Sequence, residues 1–153
     1  MCDNLKIISE KFDDKNFEMI KDTKNLFPYE LDDFQKWSCL AIHNNHNILT
    51  LAPTGSGKSV PIVYGIHCAL AKNKKVVLCN PIKALSNQKF NDFKEIFGPD
   101  NIGILTGDIK FNPTASCLIV TTEIVRNIIY QDTDYLKLEY GDIVERFIID
   151  GDI

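Results

Sequence analysis

One run of eight residues, Ala52-Pro53-Thr54-Gly55-Ser56-Gly57-Lys58-Ser59, combines two glycines, a lysine and terminal hydroxyl chemistry at a spacing that suits phosphate. It follows the apolar run Ile48-Leu49-Thr50-Leu51 and precedes Ile62, Ile66, Ala69 and Leu70, which recur at helical spacing. Strand, glycine loop and helix in that order predict a P-loop. Successive backbone N–H groups wrap a phosphate there, and the new helix turns its positive end towards it. Gly55 and Gly57 allow a close backbone approach that a Cβ would block. Lys58 is expected to reach the β- and γ-phosphates, and the Ser59 hydroxyl to ligate magnesium. The usual pattern starts with Gly, and Ala52 stands in its place. A Gly/Ser-rich surface loop would share the composition but not the strand–helix context. The loop reads as a nucleotide site.

A second carboxylate-bearing element completes such a site. Phe147-Ile148-Ile149-Asp150 is an apolar strand ending in aspartate, the form of a Walker B element, whose carboxylate would hold magnesium together with Ser59. A strand-end Asp that merely caps the next turn looks the same in isolation. Upstream of the loop, Asp32 or Asp33 can cap a helix with Phe34, Trp37, Leu40 and Ala41 on its apolar face. Gln35 sits in its first turn, and a carboxamide there can pair with the donor and acceptor edge of adenine.

The elements that position these groups alternate. Val76-Val77-Leu78-Cys79-Asn80 reads as a strand buried on both faces. Phe90, Phe93 and Phe97 predict a helix that stops at Gly98-Pro99. Ile102–Leu105 and Cys117–Val120 are further strands, and Asn112-Pro113-Thr114 is turn chemistry. Thr121-Thr122-Glu123 caps a helix carrying Ile124, Val125, Ile128 and Ile129, and residues 132–141 read as a loop. Strands alternating with helices imply right-handed crossovers and a parallel α/β sheet. Two hand-overs from strand to helix, Ile82–Lys89 and Thr121–Glu123, expose N–H groups and hydroxyls on the sheet's carboxyl edge. That edge suits a grip on phosphodiesters that reads no bases.

Composition narrows the partners. The chain has 153 residues, 44% hydrophobic and 25% charged, with a net charge of −4, so no global basic field marks it for nucleic acid. The six lysines between residues 72 and 95 face two acids, a local +4 that a solvated helix face would equally carry. Five scattered cysteines with no C-x-x-C pair fit a reducing, intracellular and soluble setting. Asp3, Lys6 and Glu10 interrupt any signal peptide, and no apolar run nears the ~20 residues of a membrane span. Residues 1–26, rich in Lys, Asp and Asn, form an extension, either packed on the domain or partly disordered.

Taken together, the motifs resemble the superfamily 2 DExH-box RNA helicases of the superkiller or exosome-cofactor branch. F-P-Y-E-L-D-D-F-Q (27–35) is similar to that branch's glutamine-containing entry, and P-I-K-A-L-S-N-Q-K-F (81–90) to its motif Ia. L-T-G-D (105–108) and N-P-T-A-S-C-L-I-V-T-T-E-I-V-R (112–126) are similar to its next nucleic-acid elements. The resemblance covers roughly residues 27–150. It implies a RecA-like P-loop NTPase fold, helices on both faces of a parallel sheet, with residues 27–153 as the first RecA-like domain of a two-domain motor. It further implies ATP and magnesium as cofactors, held by Gln35 at the adenine, Ala52 to Ser59 at the phosphates, and Ser59 with Asp150 at the metal. Lys58 and Asp150 would be the catalytic pair. Pro81, Lys83, Gln88, Gly107, Thr121, Thr122 and Glu123 would lie along the path of RNA, with DNA left open. No membrane is implied.

The departures are specific. Asp150 matches the first residue of the family's D-E-x-H box, but Gly151 replaces the Glu that orients the attacking water, and Ile153 takes the His position. Motif III, the second RecA-like domain and its arginine finger are not in these residues. The expectation is an incomplete domain lacking its last strand or strands, with a gap beside the Walker B strand, completed if at all by a separate chain. A remnant that binds nucleotide or a partner protein without turnover is the competing reading. A small-molecule P-loop kinase is disfavoured, since it has no use for the motif at 81–90.

Overall fold

Continuous apolar runs need cover on both faces, and the runs that follow residue 74 meet that need by joining one sheet. Its strands are β1 (Lys75–Asn80), β2 (Ile102–Leu105), β3 (Lys110–Phe111), β4 (Cys117–Thr121) and β5 (Val144–Ile149), ordered β3-β2-β4-β1-β5. The computed structural model describes residues 6–131 and 144–149. It divides into two compact units, Met1–Gly65 and Ile66–Ile153, and the sheet belongs to the second.

Within that unit β2, β4, β1 and β5 run parallel, with Val77 opposite Leu118 and Phe147, and Ile104 opposite Ile119. From β1 the chain passes through α4 (Lys83–Phe97) to β2, and from β4 through α5 (Thr122–Gln131) towards β5. The two crossovers move in opposite directions along the sheet. Right-handed connections that move in opposite directions place their helices on opposite faces. Val125 of α5 accordingly packs on Val77, Cys79, Leu118 and Val120. Helix α4 lies along β1, β2 and β4 and buries Phe93. This is the expected α/β architecture of the RecA-like class, a mostly parallel sheet with helices on both faces.

Burial fixes the state of the thiols. It raises the pKa of Cys79 and pushes that of Cys117 up to about 12, so Cys117 stays protonated and packs as a small hydrophobe.

Two strands differ from expectation. β3 was not predicted, because two residues cannot display a period, and it pairs antiparallel with β2 through Leu105↔Lys110 and Ile104↔Phe111. A Cβ on Gly103 would collide with the Asn112 carbonyl oxygen, so this short hairpin depends on a bare backbone there. β5 begins three residues before the expected Phe147, because Glu145-Arg146 breaks the apolar run that marks the strand in sequence. The expected loop at 132–141 falls outside the described residues, as does Asp150.

In the first unit, α2 (Asp33–His43) starts with a reciprocal capping box between Asp32 and Gln35. Ahead of it residues 14–20 form a 3₁₀ helix and α1 (Thr23–Leu26) a single turn. Phe12 and Ile20 are buried, and Phe12 meets the Trp37 ring edge-on at 5.0 Å. The Trp37 indole N–H donates to the Glu10 carbonyl at 3.0 Å, so this part of the extension packs on α2. Helix α3 (Ser59–Ala71) follows the glycine loop, as predicted. The strand expected at Ile48–Leu51 does not form. The segment is irregular, with Leu49 83% and Leu51 70% exposed. A strand exists only through ladder pairing, and among the described residues none pairs with 48–51. No described helix is long and apolar enough to cross a membrane.

Candidate nucleotide and nucleic-acid sites

The glycine loop is built around its own backbone. Gly55 and Gly57 take φ of 82° and 85°, the left-handed region that suits glycine. Ser56 N–H donates to the Pro53 carbonyl at 3.2 Å, and Val60 N–H to Gly57 at 3.1 Å, which starts α3. Lys58 folds inward and donates from Nζ to the Ala52 carbonyl at 3.0 Å, so the first residue of the motif receives its cation. Thr54 and Ser59 are exposed, and the Ser56 hydroxyl is buried without a hydrogen-bond partner.

Gln35 is 5% exposed and locks onto this loop. Its Oε1 accepts from the Asp32 N–H at 2.9 Å, while Nε2 donates to the carbonyls of Ser56 at 3.4 Å and Gly57 at 3.2 Å. A Cβ on Gly57 would run into that carboxamide nitrogen, which gives Gly57 a second reason to be glycine. The double attachment of Gln35, to a helix start and to the loop, has no signature in spacing. Gln35→Ala removes these three bonds and leaves the Asp32 N–H and the Ser56 carbonyl without their Gln35 partner, while the Gly57 carbonyl keeps the Val60 N–H. At roughly 0.5–1.5 kcal/mol net per bond, a destabilisation of about 1.5–4.5 kcal/mol is expected. Urea unfolding curves for the two proteins measure it directly.

The second cluster occupies the carboxyl edge of the sheet. β1 delivers Pro81 and Lys83, β2 delivers Gly107, and β4 ends at Thr121 with Thr122 and Glu123 opening α5. Asn80 and Thr121 are register partners across β1 and β4. Both are buried, and the Asn80 carboxamide and Thr121 hydroxyl have no hydrogen-bond partner. Lys83 reaches across to the turn after β2, its Nζ 2.6 Å from Asp108 Oδ2 and 3.5 Å from where a Gly107 Cβ would stand. Gln88 is exposed but five residues further along α4, about 140° around the helix from Lys83. It joins no cluster. Asp150 lies outside the described residues.

The run of lysines is partly occupied. Lys94 Nζ lies 4.2 Å from the Phe90 ring centroid and Lys89 Nζ 5.7 Å from that of Phe93, both on α4 itself. Phe90 in turn meets Phe111 of β3 at 5.7 Å. Asp108 closes the L-T-G-D motif directly after Gly107, but an acid in a turn carries no signal in sequence that it pairs with Lys83.

The sequence profile of the DEAD/DEAH box helicase family matches residues 32–150. The chain is 43% identical over 128 residues to the antiviral helicase SKI2 of Saccharomyces cerevisiae, covering 84% of this chain and 10% of that protein. It is 41% identical over 111 residues to the human exosome RNA helicase MTR4, covering 72% of this chain and 10% of that one. The same length and identity hold for the DExH-box ATP-dependent RNA helicase DExH9 of Arabidopsis thaliana, 72% of this chain and 11% of that protein. The chain thus spans about a tenth of the length of the curated relatives it matches. It belongs to the DEAD/DEAH box helicase family, and within it closely matches the branch that holds SKI2 and MTR4.

Proposed function

We propose that residues 27–153 act as the ATP- and nucleic-acid-binding first RecA-like domain of an ATP-dependent RNA helicase. The observation that carries this reading is the glycine loop itself, drawn closed by Lys58 on Ala52 and pinned by Gln35. The loop fits a nucleotide's phosphates. It holds an orphaned Ser56 hydroxyl, two glycines in the left-handed region, and an ammonium resting on a neutral carbonyl that a phosphate would outbid. In this reading the backbone of Ala52 to Gly57 cradles the phosphates, Lys58 takes the terminal ones, and Gln35 stands beside the adenine. Ser59 and Asp150 would hold magnesium, which would supply positive charge to the phosphates. A second RecA-like domain, from elsewhere in the protein or from another chain, would close over the nucleotide.

Pro81, Lys83, Gly107, Thr121, Thr122 and Glu123 would track the RNA backbone along the carboxyl edge, with Gln88 at its margin. Contacts of that kind go to phosphates and sugars and read no bases, so binding should be weak and indifferent to sequence, with a salt-dependence that rests on Lys83. Titration of labelled oligo-uridine and mixed-sequence RNA across a salt series tests this, and the matching DNA oligonucleotides decide between the two nucleic acids. A preference for one sequence that persists at high salt would overturn the backbone grip. Gly151, at the position of the box's Glu, favours a second reading in which nucleotide binds without turnover.

A further inference from the structure

We propose that Asp108 is an internal competitor for nucleic acid, its carboxylate occupying the place of a phosphodiester at Lys83. The inference rests on the nucleic-acid reading of the sheet's carboxyl edge. The Lys83–Asp108 contact, at 2.6 Å, is a charge-assisted hydrogen bond of the kind a phosphate oxygen makes with an ammonium. Among the described residues, no other carboxylate has a contact with Lys83 within ion-pair distance. Lys83 is the first residue of α4, where the positive end of the helix disfavours a bare cation and an anion is favoured.

The carboxylate is delivered by a fixed backbone. Thr106 N–H donates to the Ile109 carbonyl at 2.8 Å, and Ile109 N–H returns a bond to the Thr106 hydroxyl at 3.2 Å. Thr106 is buried, so the turn that carries Gly107 and Asp108 is anchored at both ends. Its partner end is open. The Lys83 and Asp108 side chains are 46% and 74% exposed, and exposed ion pairs are weak and screened by salt. A polyanion can therefore displace Asp108 and take over Lys83. The aspartate sets a threshold: it discourages a lone anion and yields to a phosphate held in register by neighbouring contacts. Of the lysines on α4, Lys89 and Lys94 lie on phenyl rings, which leaves Lys83 as the cation at the hand-over from β1.

The test is a double-mutant cycle with Asp108→Asn and Lys83→Met, using labelled oligo-uridine RNA as probe. Removing the competitor spares the RNA the cost of breaking an exposed ion pair, which amounts to up to roughly fivefold tighter binding at ~50 mM salt and a smaller gain at ~200 mM, with the slope set by the Lys83 contact in both proteins. Asp108→Asn should show that gain, and the double mutant should bind like Lys83→Met alone. Asp92→Asn, which removes an exposed acid elsewhere on α4, should gain far less. The proposal is overturned if the Asp108→Asn gain survives in the Lys83→Met background, or matches that of Asp92→Asn, while wild type binds RNA with the expected salt slope. Failure of the underlying reading has a different signature: no variant binds RNA, or Lys83→Met leaves binding unchanged, and either result removes both. Thermal melts of all variants establish that each is folded.

Discussion

Phosphate release from ATP by these 153 residues is expected to stay far below a helicase-like rate, with RNA or without it. By the chain's resemblance to the family's D-E-x-H box, Gly151 would take the position of the Glu that orients the attacking water. A general base typically contributes on the order of 10²–10⁴ in rate. An arginine finger contributes roughly 10³–10⁵ more, and it belongs to a second RecA-like domain, whereas the family match over residues 32–150 accounts for one. If the two effects were independent they would raise the barrier by about 7–12 kcal/mol, at about 1.36 kcal/mol per factor of ten. Groups that act as a unit are non-additive, so the sum is an upper figure, but either factor alone leaves a trickle. Gly151→Glu should therefore not restore turnover, because it returns the base without the finger. Strand separation is likewise not expected, since it needs two domains closing on each other. RNA-stimulated turnover near about one per second in wild type would refute the role assigned to Gly151, and the same rate in Gly151→Glu alone would refute the need for a finger from a second domain.

The parts of the fold that could be read in advance are those where one physical signal dominates. Val76–Cys79 and Cys117–Val120 are continuous apolar runs, and a segment of that kind has few alternatives to a strand covered on both faces. Asp32 could be read as a cap because its chemistry is local, satisfied within one helical turn. Ile48–Leu51 shows the limit. Its residues suit a strand, yet a strand is a property of a pair, and no described strand offers 48–51 a ladder. β3 was unreadable for the opposite reason, since pairing supplied a strand that two residues could not announce.

The same division runs through the candidate sites. The glycine loop is legible because its conformation is encoded in residues that are contiguous. The tie from Gln35 to Ser56 and Gly57 spans more than twenty positions, and that from Lys83 to Asp108 spans 25, so only the folded backbone brings them together. The lysines between 72 and 95 illustrate how a count misleads. Charge adds in a sequence, but on α4 an aromatic ring lies under Lys89 and another under Lys94.

Lys58→Ala should abolish measurable binding of ADP or ATP with magnesium. Lys58 carries the one formal charge in the run from Ala52 to Ser59, and the remaining donors of the loop are neutral. Bonds from an ammonium to a phosphate are about twice as strong as neutral ones. The mutation has a second consequence that a pure charge argument would miss. Lys58 Nζ also ties the end of the loop back to the Ala52 carbonyl, so alanine leaves the loop less closed before any ligand arrives. The irregular segment at 48–51 compounds this, because a loop not anchored on a ladder must be ordered by the ligand, at a cost to affinity. Wild-type binding should accordingly be weak, yet its stabilisation is predictable. A ligand at a hundredfold excess over its dissociation constant adds about 2.7 kcal/mol to a protein that binds only when folded. Nucleotide should thus raise the unfolding midpoint of wild type and leave that of Lys58→Ala unmoved. Isothermal titration gives the affinities themselves. Equal affinity in the two proteins would remove the loop as the nucleotide site, whereas a loss of affinity with unchanged stability of the free protein would assign the whole effect to phosphate charge and none to loop closure.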